Sequence, residues 1–149
     1  MDIRGFEIIS SYEQEGISLP RRKTTESAGY DIESAQTVTI EPQTMAVVST
    51  GVKVFMNYDE YLAIHIRSGI AFKRKLMLMN STGIIDSDYY NNEENEGHIM
   101  IALYNMGDAA VTIEKGERIA QGIFSKYLLT NEDDATGIRT GGIGSTGTK

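Results

Sequence analysis

The chain reads as an all-β protein, a jelly-roll-like sandwich or barrel with one short helix and a flexible C-terminal tail. Three observations carry this. Apolar residues recur with period two from Tyr30 onward, the candidate strands follow one another about every 8 to 15 residues, and Gly, Asn, Asp and Pro fill the gaps between them. Alternating βαβ units would need long stretches of period 3.6 between strands, and the chain lacks them.

The elements follow in order. Ile3 to Ser10 mixes apolar and charged residues as a strand does, while Ser11 to Thr25, with Pro20 and the basic run Arg21-Arg22-Lys23, reads as a loop. Val38 and Ile40 alternate with Thr37, Thr39 and Glu41. Val52, Val54 and Met56 alternate with Lys53 and Phe55, which predicts one buried face with Lys53 pointing to solvent. Leu62, Ile64 and Ile66 continue the pattern against Tyr61, Ala63, His65 and Arg67. Ile99, Ile101 and Leu103 do so against His98, Met100, Ala102 and Tyr104, and two more strands fall around Val111 to Glu114 and Arg118 to Phe124. Ser68 to Lys75 is the candidate helix, with Ser as its cap.

Composition bounds the function. A length of 149 residues fits one domain, and a net charge of −7 with interspersed signs argues against a nucleic-acid or membrane-binding surface. A small anionic ligand remains compatible, because a few Arg and Lys residues or a bound Mg²⁺ reverse the field inside one pocket. With no cysteine there is neither a disulfide framework nor a thiolate metal site, which suits a reducing cytoplasm. No stretch approaches the roughly 18 apolar residues of a membrane span. The two histidines, His65 and His98, have no Ser or Cys constellation to serve and are assigned no catalytic role.

The most unusual stretch is Asn80-Ser-Thr-Gly-Ile-Ile-Asp-Ser-Asp-Tyr-Tyr90. It predicts a hairpin in which Gly83 takes a turn conformation with φ above zero, Ile84 and Ile85 anchor the returning strand in the core, and Asp86 stands at a strand end. A carboxylate so placed can act as a general base; an ordinary Gly/Asp/Ser turn accounts for the same residues equally well. The second unusual stretch is the tail. Residues 131–149 are acidic and rich in Gly, Ser and Thr, with two isoleucines, Ile138 and Ile143, so a β domain over 1–130 is followed by a flexible arm over 131–149. Arg139 to Gly147, Arg-Thr-Gly-Gly-Ile-Gly-Ser-Thr-Gly, has the make-up of a phosphate cradle, although a solvated tail has the same composition.

Five stretches in this order and spacing decide between these alternatives: Ser27-Ala-Gly-Tyr-Asp-Ile32, Arg67-Ser-Gly-Ile-Ala71, Asn80 to Tyr90, Gly116-Glu-Arg-Ile-Ala-Gln121, and Arg139 to Gly147. Together they resemble the five motifs of the trimeric, all-β deoxyuridine triphosphatases, and the lengthened turn after Tyr90 resembles the Gram-positive and phage members. The resemblance implies a homotrimer with three shared sites and Mg²⁺-dependent hydrolysis of dUTP to dUMP and pyrophosphate. It implies the hairpin from one subunit, the Arg-Ser-Gly and Gln-bearing motifs from a neighbour, and the arm from the third. By the same resemblance Asp86 activates the attacking water. Asn80, the backbone of Gly83, Ile84 and Ile85, and Met100 read uracil, while Tyr89 lies under the deoxyribose. Arg67, Ser68, Gly69 and Gln121 grip the phosphates, and Arg139, Gly142, Ile143, Gly144, Ser145 and Thr146 close over them as a lid. Asp31 holds metal-bound water.

The chain departs from the pattern at Ile143, where the family usually has a Phe, and at Arg139, one residue closer to the Gly-Gly pair than usual. The acidic insertion Asn91 to Gly97 reads as a solvated loop, and by resemblance to the phage subset as a possible surface for a regulatory protein. Two other readings keep the fold but change the chemistry: a dCTP deaminase-like enzyme, and a phage-type regulator that retains a dUTP pocket.

Overall fold

A computed structural model describes residues 3–144, 146 and 147. The strands are β1 (Gly5–Ile8), β2 (Tyr30–Glu33), β3 (Val38–Ile40), β4 (Met45–Ser49), β5 (Val52–Phe55) and β6 (Glu60–Ile66), followed by helix α1 (Ser68–Arg74). The rest are β7 (Leu76–Leu78), β8 (Gly83–Asp86), β9 (Met100–Asn105), β10 (Val111–Ile113) and β11 (Arg118–Lys126). All pairings are antiparallel. A four-stranded sheet runs β2-β11-β6-β8, a three-stranded sheet runs β4-β9-β7, and β1-β5 and β10-β3 form two ribbons. Ile32, Leu62 and Ile119 from the larger sheet pack in one core with Val48, Leu76, Ile101 and Leu103 from the smaller, so the all-β sandwich stands. Each such side chain, fully removed from water, contributes about 1.5–3 kcal/mol.

Local details differ from the pattern read along the chain. Helix α1 begins at Ser68, and its N-cap is Arg67, in extended conformation with no side-chain capping bond; Lys75 closes it in the left-handed region at φ 56°. The register of β11 against β2 shifts between Arg118 and Ala120, which puts Ile119 and Ala120 in the interior in succession. The stretch around Asp86 is not a hairpin of its own. β7 pairs with β9 and β8 with β6, so the turn at 79–82 carries the chain from one sheet to the other. The residue there with positive φ is Ser81 (63°), not Gly83. Glycine serves at 83 for a different reason: a Cβ would stand 3.1 Å from Cβ of Ile64. Ile85 packs on the core opposite Leu62, while Ile84 faces outward and is exposed.

Lys53 and the insertion depart further. β5 is covered on both faces, and Lys53 is buried, its Nζ donating to Oδ1 of Asn91 (2.6 Å) and to Glu96 (2.8 Å). Residues 91–97 are a folded turn rather than a solvated loop. Asn92 is buried; its amide donates to the Tyr89 carbonyl (2.8 Å), and its Oδ1 accepts from the backbone of Glu94 and Asn95. Glu96 also takes bonds from the hydroxyl and amide of Ser10, so that it ties β1, β5 and the turn together. Its pKa is held down to about 2, by Lys53 first and Ser10 second. No helix among the described residues is long and apolar enough to cross a membrane.

Candidate active site

A cavity of about 400 Å³ opens where the two sheets diverge. β8 supplies one wall, with Gly83, Ile84, Ile85 and Asp86; Leu78, Asn80 and Met100 come from the other sheet and the turn leading out of it. Met100 is therefore not on a strand paired with β8 but across the cavity from it, paired with Ser49. Asp86 closes β8 opposite Tyr61, and a 3₁₀ turn over Ser87–Tyr89 then swings Tyr89 inward. The Tyr89 ring is buried, its hydroxyl donates to the His98 carbonyl (2.7 Å), and burial pushes its pKa up.

The arm closes the cavity from above. Arg139, Gly142, Ile143, Gly144 and Thr146 all line it, while Ser145 lies outside the described residues. The Arg139 guanidinium is nearly buried. It donates from Nη2 to Asp86 and from Nε to Asp88, both at 2.7 Å, and lies 5.9 Å from the Tyr89 ring centre. The amide of Gly142 donates to Glu94 (2.7 Å). The arm thus covers its own chain's cavity, where the resemblance implied service to another subunit alone. A tether with neither helix nor strand, residues 127–138, running on from the end of β11 at Lys126 permits either path, and three carboxylates on the chain itself attract the arginine and the amide.

The remaining expected residues form a second group that does not line this cavity. Arg67 follows β6 and donates towards Asp31 (Nε to Oδ1, 3.3 Å) and the Arg118 carbonyl (3.2 Å); Arg118 reaches the other Asp31 oxygen at 3.4 Å. Gln121 is paired with Asp31 across β11 and β2 and lies over Gly29, where a Cβ would come within 2.3 Å of its Oε1. Gly69 has open space on its side-chain face. One half of the chain's chemistry, with a carboxylate and an apolar slot, is thus separate from another half with two arginines, an amide and the first turn of α1.

The dUTPase family model matches residues 15–147, nearly the whole chain. The chain belongs to the dUTPase family. The deoxyuridine 5'-triphosphate nucleotidohydrolase of Lactococcus lactis is 47% identical over 149 residues, 99% of each protein. The crystal structure of dUTPase from Streptococcus mutans superposes with a TM-score of 0.81 at 45% identity, covering 85% of this chain and 98% of that one. The dUTPase of Staphylococcus bacteriophage 80alpha follows at a TM-score of 0.73 and 25% identity, covering 93% and 99%. These place the chain among Gram-positive and phage-like dUTPases.

Four residues in these two groups escape a motif reading: Asp88, Glu94, Asn95 and Arg118. Asp88 and Arg118 lie inside motifs already singled out, and their charge was the available signal. Glu94 and Asn95 sit in the insertion, where local composition says only that the segment is polar. Asn95 donates to the Tyr89 hydroxyl (2.9 Å), and the bonds of Asn92 hold it there.

Proposed function

We propose that the chain hydrolyses dUTP to dUMP and pyrophosphate at a site whose base-reading half is the cavity under the arm. The observation that carries this is the position of Asp86, at the mouth of an apolar slot walled by strand backbone and floored by an aromatic ring. A slot of about 400 Å³ lies at the small end of ligand pockets. Uracil fits between Ile84 and Met100, its edge read by Asn80 and the backbone of Gly83 to Ile85; the deoxyribose rests on Tyr89, which leaves no room for a 2′-hydroxyl. Asp86 orients a water for in-line attack on the α-phosphorus. The water oxygen bonds to phosphorus, the bridging oxygen to the β-phosphate leaves with pyrophosphate, and the water's proton passes to Asp86.

Arg67, Ser68, Gly69 and Gln121 hold the phosphates, brought to the cavity by a neighbouring copy in a homotrimer. The separation of the two residue groups within one chain supports that assembly, as do the exposed Leu128 and Leu129 at the root of the arm. When the triphosphate arrives, Arg139 exchanges Asp86 and Asp88 for phosphate oxygens, and Gly142 to Thr146 close over them.

Mg²⁺ fits this donor set as a passenger of the triphosphate rather than as a caged ion. Among the described residues no group of three or more His, Asp or Glu side chains is placed to hold one, and the Asp31 carboxylate, engaged with two arginines, is suited to hold metal-bound water. When bound, the ion neutralises charge that develops on the phosphates. The activity belongs in the cytoplasm, where it would limit uracil incorporation into DNA and supply dUMP for thymidylate synthesis.

Pyrophosphate release from dUTP, dCTP, dTTP and UTP with Mg²⁺ tests the reading. Release from dUTP alone supports it; ammonia from dCTP indicates a deaminase, and binding of dUTP without turnover indicates a regulator.

A further inference from the structure

We propose that Asn95, in the insertion, is the positioning residue for sugar selection: it fixes the Tyr89 ring from outside the cavity and so gives the site its rigidity against a 2′-hydroxyl. This rests on the reading above, in which Tyr89 lies under the deoxyribose.

The hydrogen-bond polarity leaves one arrangement. The Gly97 amide can only donate, and it donates to Oδ1 of Asn95 (3.1 Å), which also accepts from Nδ2 of Asn92 (2.7 Å). Nδ2 of Asn95 is therefore the atom turned to the Tyr89 hydroxyl, at 2.9 Å. That hydroxyl spends its own proton on the His98 carbonyl, at 2.7 Å, so its lone pair must take the Asn95 proton. Each group in the series has one role open to it, and the phenol is pinned from both sides.

The anchor is itself braced. Asn92 is buried and binds the Tyr89 carbonyl, while Glu96 is held by Lys53 and Ser10 at the far end of the same turn. A ring that excludes an extra hydroxyl by contact must not yield when pushed, because a shift of a few tenths of an ångström admits the atom. With Nδ2 removed, the Tyr89 hydroxyl keeps one bond and the ring can pivot about it. Asn95 also borders the arm: a Cβ at Gly142 would come within 2.7 Å of Nδ2. The insertion therefore meets the sugar-facing ring and the lid at one amide.

The test compares kcat/KM for dUTP and UTP in the full-length wild-type chain, N95A, Y89F and the double variant. N95A removes the donor, and Y89F removes the hydroxyl while leaving every bond within the turn in place, so misfolding of the turn in N95A cannot imitate the result. N95A should narrow the preference for dUTP by about fivefold, the worth of one hydrogen bond, and Y89F, which also deletes the bond to the His98 carbonyl, by at least as much, through improved handling of UTP. The double variant should narrow it no further than Y89F alone, because Y89F already deletes the one bond to the phenol that N95A removes. An unchanged preference in Y89F and N95A overturns the proposal, and so does a double variant whose loss is the product of the two. A wild-type chain that leaves dUTP intact overturns the hydrolase reading itself, whatever the variants do.

Discussion

Replacing Lys53 by Met keeps the buried stem of the side chain and removes the charge that organises the insertion. Nζ sits 2.6 Å from Asn91, 2.8 Å from Glu96 and 5.3 Å from the Tyr90 ring centre, so the substitution leaves Glu96 to Ser10 alone. At 1.36 kcal/mol per pKa unit, a carboxylate brought from 4.5 to about 2 on folding contributes at most about 3–4 kcal/mol of stability. Thirty per cent of the Glu96 side chain is exposed, and solvent screening reduces this to about 1–2 kcal/mol. The folded pKa lies below the unfolded one, so the contribution is complete above about pH 4.5 and disappears as pH falls from there towards 2. K53M should therefore unfold in less urea than the wild type at pH 7, and because Ser10 still lowers Glu96 in the variant, the gap should close by only part of this, about 1 kcal/mol, between pH 6 and pH 3. Urea melts by circular dichroism at one fixed protein concentration measure this, since assembly makes stability concentration-dependent. The ion pair of Arg4 with Glu60 also weakens in acid, but equally in both proteins, and cancels in the difference. A gap that stays constant from pH 7 to pH 3 would show that Lys53 does not depress Glu96, and would refute the account of the insertion.

Three further outcomes bear on the site. D86N should bind dUTP as tightly as the wild type and release pyrophosphate roughly 10²–10⁴-fold more slowly, the usual worth of a general base, as a coupled phosphate assay would record. G29A puts a methyl where Oε1 of Gln121 lies, at 2.3 Å, and should raise KM for dUTP by roughly tenfold with little change in melting temperature; an unaltered KM would remove Gln121 from the phosphate site. A chain ending at residue 136 loses Arg139 and the lid, and should lose nearly all turnover while eluting from size exclusion as the same oligomer.

How far the sequence reveals this molecule depends on the range of the interaction concerned. Period-two alternation finds β5, β6 and β9 because their buried residues sit at local spacing two, as Val52 and Val54, Leu62 and Ile64, and Ile101 and Leu103 do. It does not reveal β4, whose outward Met45 and Val47 are as apolar as the inward Val48 and so erase the alternation. Lys53 is misread for the same reason in reverse. A charge at an outward position signifies solvent unless a carboxylate covers it, and Glu96 lies 43 residues further along.

The site divides in the same way. Asp86 and Tyr89 are legible because strand end, carboxylate and aromatic are neighbours in the chain, and the five motifs supply their context. The capture of Asp86 by Arg139 spans 53 residues and reflects charge meeting charge at a cavity mouth, which no local pattern records. The insertion is the sharpest case. Asn-Asn-Glu-Glu-Asn-Glu looks like a segment with nothing to bury, and its composition is that of a solvated loop. It folds because its polar groups satisfy one another and outside partners, among them Lys53, Ser10, the carbonyl and hydroxyl of Tyr89 and the Gly142 amide. Polar composition predicts exposure only when partners are absent. Here they are supplied by β5, by the chain just after β1 and by the site itself, so the segment with the least hydrophobic character is the one that links the scaffold to the residue proposed to face the sugar.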